Sequence, residues 1–253
     1  MSNSALVSYT KISPNRNSPR NHAIDRISIH CVVGQCTVER IGEIFAPESR
    51  EASSNYGIGL DGRIGMYVEE KDRSWCTSSG ANDHRAVTIE VASDTAHPYA
   101  VKAAAFSALL DLCTDICKRN GKKRLLWFGD KEKTLAYTPK ADEMVLTVHR
   151  WFANKACPGE YLYSRHGEIA AEVTKRLAAA DKPAEPTAPA GTGDNPSAWA
   201  KTATEYCKRK GIFAGDGAGN FDWQKPITRE QVAAVIYRTL ERAGLLEVIP
   251  DKE

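Results

Sequence analysis

The sequence predicts an α/β domain, a mixed central β-sheet flanked by helices, followed by a small all-α module. Three observations carry this. Short β-branched runs alternate with runs of helical period through the first 180 residues. Asp61-Gly62 lies between two alternating segments, a strong hairpin signal. The tract DKPAEPTAPAGTGDNP, residues 181–196, has no hydrophobic period and the composition of a semi-extended linker. The predicted organisation is therefore a domain at 1–180, a linker at 181–196 and a module at 197–253.

RISIHCVV (26–33) predicts a strand, with Ile27, Ile29, Cys31 and Val33 on one face and Ser28 and His30 on the other. TVERIGEIFA (37–46) carries Val38, Ile41, Ile44 and Phe45 at helical spacing; Thr37 is placed to cap it, with Arg40 where a capping box would have glutamate. In NYGIGLDGRIGMYVEE (55–70), Gly57 and Gly59 strip one face of the first hairpin strand, so something is expected to pack or bind closely there. AVTIEVA (86–92) predicts a strand, residues 98–121 a long helix closed by Gly121, KRLLWF (123–128) a further strand and residues 160–180 a second long helix.

The 34 Lys and Arg against 32 Asp and Glu leave a formal charge of +2, without the basic excess of a nucleic-acid binder. No run approaches the roughly 18 apolar residues of a membrane span, so no membrane insertion is expected. Nor has the N-terminus an apolar run of signal-peptide length, which predicts synthesis in the cytoplasm. The seven cysteines, an odd number, are expected to be free thiols or metal ligands there.

HRWFANKACPG (149–159) concentrates His149, Lys155 and Cys157. Pro158 disfavours helix at Cys157, and in an extended segment Lys155 and Cys157 face alike. With His30, the cluster offers three N/S ligands, the count of a catalytic zinc site that keeps a fourth position for water. A thiol nucleophile, Cys157 with His149 as base, fits the same residues, and so does a lone core histidine beside a buried cysteine.

The order IHCVVGQ, SNYGIGLDGRIGMYVEE, RSWC, NDHRAVTIEV and VHRWFANKACPG resembles the type 2 N-acetylmuramoyl-L-alanine amidase family of phage and prophage endolysins and peptidoglycan recognition proteins, over about residues 20–180. The resemblance implies a zinc-dependent amidase fold with Zn2+ held by His30, His149 and Cys157. It further implies catalytic roles for Tyr56, Lys155 and, in some members, Glu90, and substrate contacts at Trp75 and Asn82. The bond cut would join N-acetylmuramic acid to L-alanine of bacterial peptidoglycan. A non-catalytic peptidoglycan-binding protein is the alternative. The chain departs from the family at two cysteines: Cys31 follows His30 where a second histidine is common, and Cys76 follows Trp75 where histidine is common. His22, His84, His97 and His166 match no ligand position and are expected at the surface or in local hydrogen bonds, while Cys36, Cys76, Cys113, Cys117 and Cys207 are expected to be structural.

Residues 198–246 predict helix, Gly-rich turn, helix, with Thr228 as N-cap and Gly244 as stop. GIFAGDGAGNF followed by PITREQ resembles one S-layer homology repeat, with Arg229 at the motif arginine. This implies a secondary cell-wall polymer as partner. A single repeat buries little core, so homo-oligomerisation through the module is the other expectation. The composite expectation is an endolysin that acts on the wall after the membrane is permeabilised.

Overall fold

The computed structural model describes residues 2–181, 195–216 and 218–246. The chain divides into two compact units, Met1–Lys182 and Pro183–Glu253. The predicted linker lies outside the described residues except at its ends.

The first unit is built on a seven-stranded sheet with spatial order β1 (Val7–Thr10), β5 (Ile64–Met66), β4 (Tyr56–Ile58), β7 (Ala86–Val91), β3 (Arg26–Cys31), β9 (Glu143–Thr147) and β8 (Arg124–Leu126). Neighbours run parallel except in the β4–β5 hairpin. A two-stranded ribbon pairs β2 (Arg16–Asn17) with β6 (Arg73–Ser74). β3 has a strand on each side and layers on both faces, so all six of its residues are buried.

Period-two alternation divides the sheet. One face carries Ile27, Ile29, Tyr56, Ile58, Val87, Ile89 and Leu146 into the main core, where helices α3 (Ala103–Arg119) and α6 (His166–Asp181) supply Leu109, Leu112, Ile116, Ile169 and Val173. Each such side chain contributes about 1.5–3 kcal/mol by leaving water. On the other face, helix α1 (Val38–Phe45) packs Ile41 and Phe45 against Tyr67. Thr37 caps α1 as expected, accepting from the Arg40 N–H. The bare hairpin face is filled by the chain itself: a Cβ on Gly57 would come within 2.7 Å of the Tyr67 ring, and one on its register partner Gly65 would run into the Tyr67 hydroxyl. The Tyr67 hydroxyl donates to the Val38 carbonyl at 2.7 Å.

Three local expectations are corrected. The strand at 26–33 ends at Cys31, because Val33 turns the chain with φ 59°. The helix at 98–121 starts only at Ala103, since the preceding backbone is used elsewhere: the Ala100 carbonyl accepts from Asp94 and the Pro98 carbonyl from Tyr161. The helix at 160–180 is two helices, α5 (Gly159–Tyr163) and α6, with Ser164 bonding back to the Glu160 carbonyl at the break. Beyond these, β1, β9 and the short helix α4 (Lys131–Ala136) lack a sequence signal; β9, EMVLT, is a buried apolar run whose period does not distinguish strand from helix.

In the second unit a 3-10 turn (Ala198–Ala200) leads into α7 (Lys201–Arg209), and a Gly-containing turn precedes α8 (Arg229–Arg242). Thr228 and Gln231 form a reciprocal capping box at the start of α8. Phe221 stacks on Trp223 with centroids 5.0 Å apart. Neither helix buries a residue, and Trp199 remains 85% exposed.

Candidate active site

The site lies where the polar face of the sheet runs out. His30, at the end of β3, is fully buried, and its register partner on β7 is Glu90. β9 ends opposite Ser28, and the chain then turns through a 3-10 turn (His149–Trp151) that carries His149 across the end of β3. The following loop folds back because the Arg150 N–H donates to the Cys157 carbonyl (3.1 Å) and the Arg150 Nη2 to that of Ala156 (2.7 Å). Gly159 closes the loop with φ +79°, where a Cβ would lie 2.7 Å from that of Tyr99, so only glycine fits.

This brings one donor atom each from His30, His149 and Cys157 within 4.8 Å of one another. Cys157 Sγ is 3.3 Å from His30 Nδ1, and the two imidazoles lie with centroids 5.2 Å apart. Burial, reinforced by His149 and His166, holds His30 well below the ordinary histidine range, so the ring is neutral, as a metal ligand must be. His149 is lowered by burial and the Lys155 charge, and its Nε2 lies 3.1 Å from the Ser78 hydroxyl. The Cys157 thiol is held well above the ordinary range by its hydrogen bond to Cys31, burial and the nearby Glu90. Among the described residues, His30 Nε2 and Glu90 Oε2 are buried without a partner. Two neutral imidazoles, one thiol and orphaned polar atoms beside them fit a divalent cation.

A groove of about 410 Å³ opens over this cluster, lined in part by Trp75, Cys76, Ser78, Glu90, His149 and Lys155. Burial, followed by the Cys31 charge, pushes the Glu90 carboxyl up to about 8. Lys155 is exposed at the rim. Trp75 is fixed by its indole N–H, which donates to the Asn17 carboxamide oxygen at 2.7 Å.

Register does not bring Tyr56 to the other expected site residues. Tyr56 pairs with Ile89 and Gly57 with Glu90, so the Tyr56 ring points to the face opposite His30 and Glu90. Its hydroxyl donates to Glu70 (2.7 Å) and accepts from the Ser4 N–H (2.9 Å), and burial raises its pKa above the ordinary phenol range. Asn82, on the one-turn helix α2 (Gly80–Asp83), is 1% exposed, with its side chain held by Arg26 and Thr77, and borders a neighbouring cavity rather than this groove. Arg229 lies in the second unit, exposed in the first turn of α8.

Sequence reasoning overlooked Cys76, Ser78 and the Cys31–Cys157 contact. Cys76 is a site residue: its Sγ is 3.9 Å from Glu90 Oε1. The signal available was its position directly after Trp75. His166 is fully buried, its Nδ1 2.7 Å from the Leu162 carbonyl oxygen and its ring against Trp127. Cys113 and Cys117 are core residues, as expected.

Residues 194–233 match the S-layer homology domain. Among solved structures, the endolysin N-acetylmuramoyl-L-alanine amidase LysCS from Clostridium intestinale URNW is 19% identical, with a TM-score of 0.45 over 66% of this chain and 92% of its own. AmpD, as its selenomethionine derivative, is 17% identical, with a TM-score of 0.47 over 66% of this chain and 96% of its own. The Ph2119 endolysin from a Thermus scotoductus MAT2119 bacteriophage is 15% identical, with a TM-score of 0.40 over 62% and 89%. No curated protein matches the chain significantly. Residues 10–160, more than half of the sequence, match the N-acetylmuramoyl-L-alanine amidase family, and the chain belongs to that family.

Proposed function

We propose that this chain is a zinc-dependent peptidoglycan amidase that hydrolyses the bond between N-acetylmuramic acid and L-alanine, with His30, His149 and Cys157 as metal ligands. The observation that carries this reading is the approach of those three donors to within 4.8 Å beside a groove that one of them, His149, lines together with Glu90 and Lys155. A zinc ion there supplies Lewis acidity towards the scissile carbonyl and the attacking water. Lys155 stabilises the negative charge that develops on the carbonyl oxygen, a contribution of about 2.7–4 kcal/mol for one well-placed donor. Glu90, with its pKa pushed up to about 8, carries a proton at neutral pH and delivers it to the departing amine. Ser78 holds the His149 ring in place, and Trp75 offers an aromatic wall to the substrate.

The raised thiol of Cys157 disfavours a cysteine nucleophile, which needs a thiolate. Muropeptide analysis of digested walls, with and without chelator, tests the proposal. A new L-alanine amine that disappears on chelation supports it; chelator-resistant activity blocked by thiol alkylation overturns it.

In this reading residues 1–180 are the catalytic domain, and the module at 197–253 holds the enzyme on a secondary cell-wall polymer, with Arg229 as a contact. The biological role is that of an endolysin acting once the membrane is breached. Among the described residues no helix is long and apolar enough to cross a membrane. Retention of the full chain on walls stripped of secondary polymer would overturn the assignment to the module.

A further inference from the structure

His30 stands at the junction of two donor sets. Besides His149 and Cys157, it forms a second group with Cys76 and Glu90, whose ligand atoms also lie within 4.8 Å of one another. Both groups use the same atom: Nδ1 lies 3.3 Å from Cys157 Sγ and 4.0 Å from Glu90 Oε1. Cys76 Sγ is 3.9 Å from that same Glu90 oxygen. A tetrahedral zinc with ordinary bond lengths holds N, O and S ligand atoms about 3.4–3.6 Å apart, so contractions of roughly half an ångström would close the His30–Glu90 and Cys76–Glu90 pairs, and the His30–Cys76 pair starts within 4.8 Å.

We propose that His30, Cys76 and Glu90 form a second binding position for a thiophilic divalent cation such as Zn2+ or Cd2+, mutually exclusive with the position formed by His30, His149 and Cys157. Exclusion follows from the shared atom, because an imidazole nitrogen has one lone pair for metal and serves one cation at a time.

Three features support the second position. Cys76 is held in place: its N–H donates to Asp83 Oδ2 at 3.0 Å, and the Thr77 hydroxyl donates to Asp83 Oδ1 at 2.6 Å. Glu90 Oε2 is buried and without a hydrogen-bond partner among the described residues. The donor set pairs a thiol with an imidazole and a carboxylate, all established zinc ligands. On binding, the Cys76 thiol and the Glu90 carboxyl each give up a proton to solvent, and the sulfur and the carboxylate oxygen take the cation. Glu90 is then committed as a ligand and no longer free to carry a proton, so a cation in this position silences hydrolysis.

The test uses the full chain carrying His149→Ala and Cys157→Ala, which removes two donors of the first set and none of the second. Metal-free protein is titrated with Cd2+, following the near-ultraviolet thiolate-to-metal absorption and the proton released, with folding checked by circular dichroism. The expected result is one bound equivalent with a thiolate band and about two protons released at neutral pH, one from Cys76 and one from Glu90. Adding Cys76→Ala should remove the band and weaken binding at least tenfold. Failure of the double variant to bind Cd2+, or a band that survives Cys76→Ala and so arises from another thiol such as Cys31, overturns the proposal. If the double variant does not fold, Cys157→Ser, which nearly preserves volume, takes its place with the same two outcomes.

Discussion

The two faces of the central sheet are built by the same strands one residue out of phase. Ile27, Ile29, Ile89 and Leu146 project one way into a core completed by α3 and α6. Ser28, His30, Thr88, Glu90 and Thr147 project the other way, and four of these five are also fully buried. What differs is how burial is compensated. The first face gains from removing apolar area from water. Part of the second is satisfied internally: the Asn55 N–H donates to Thr88 Oγ1 at 3.0 Å, the Thr88 N–H to Asn55 Oδ1 at 3.1 Å, and Ser74 lies within 2.7 Å of the Thr88 hydroxyl. Towards the strand ends the compensation stops, leaving His30 Nε2 and Glu90 Oε2 without partners among the described residues. One face holds the fold together; the other leaves polar atoms for a cation and a substrate to satisfy.

Substitutions on each face should therefore separate stability from chemistry. The largest effect is expected from His30→Ala: metal content and amide hydrolysis fall to the detection limit, while circular dichroism shows the fold retained. Co-loss of the fold would mean that the polar face is structural too. Lys155→Ala keeps the metal but lowers kcat by about 10²–10³, measured on purified muropeptides; full turnover removes Lys155 from the mechanism. On the apolar face, Ile89→Ala costs about 2–5 kcal/mol in denaturant unfolding, with activity per folded molecule unchanged.

Glu90 makes the comparison pH-dependent. Its folded pKa of about 8 exceeds the ordinary 4.5, so the folded state holds its proton more tightly. The associated stability is complete below 4.5 and lost as pH rises towards 8. His30, lowered from 6.5, acts oppositely and only below that pH. The metal-free protein should thus lose stability between pH 6.5 and 8, and Glu90→Gln should flatten that slope in thermal melts. A parallel slope in the variant would show that Glu90 is ionised throughout. The smallest effect belongs to Tyr56→Phe, expected to cost about 1 kcal/mol through the lost hydrogen bonds to Glu70 and Ser4 and to leave kcat unchanged. A large fall in kcat would place the phenol in the chemistry after all.

Much of the first unit was legible locally. The hairpin around Asp61-Gly62, the His30 strand and the Thr37-capped helix follow from period and turn chemistry, because each depends on residues within a few positions of one another. β9 was not legible, since a strand buried on both faces lacks the alternation that marks a half-exposed one. Tyr56 shows where motif position and geometry part: it stands beside Gly57 in sequence, yet pleating sends its ring to the opposite face. Cys76 was hidden for the complementary reason, as a single cysteine after a two-residue strand has no period to reveal its direction. In the second unit the Thr228 cap and the Gly244 stop, with φ +69°, were both legible.

By itself the sequence determined the types of most elements, the residues sharing each strand face and the donor atoms available for chemistry. Only the tertiary structure decided which donors meet. His30 and Cys157 are 127 positions apart yet approach to 3.3 Å, because β3 lies between β7 and β9 and β9 ends early enough for the following loop to cross the end of β3. Strand order is set by the packing of the whole chain, and residue periodicity, with its reach of a few positions, carries no record of it.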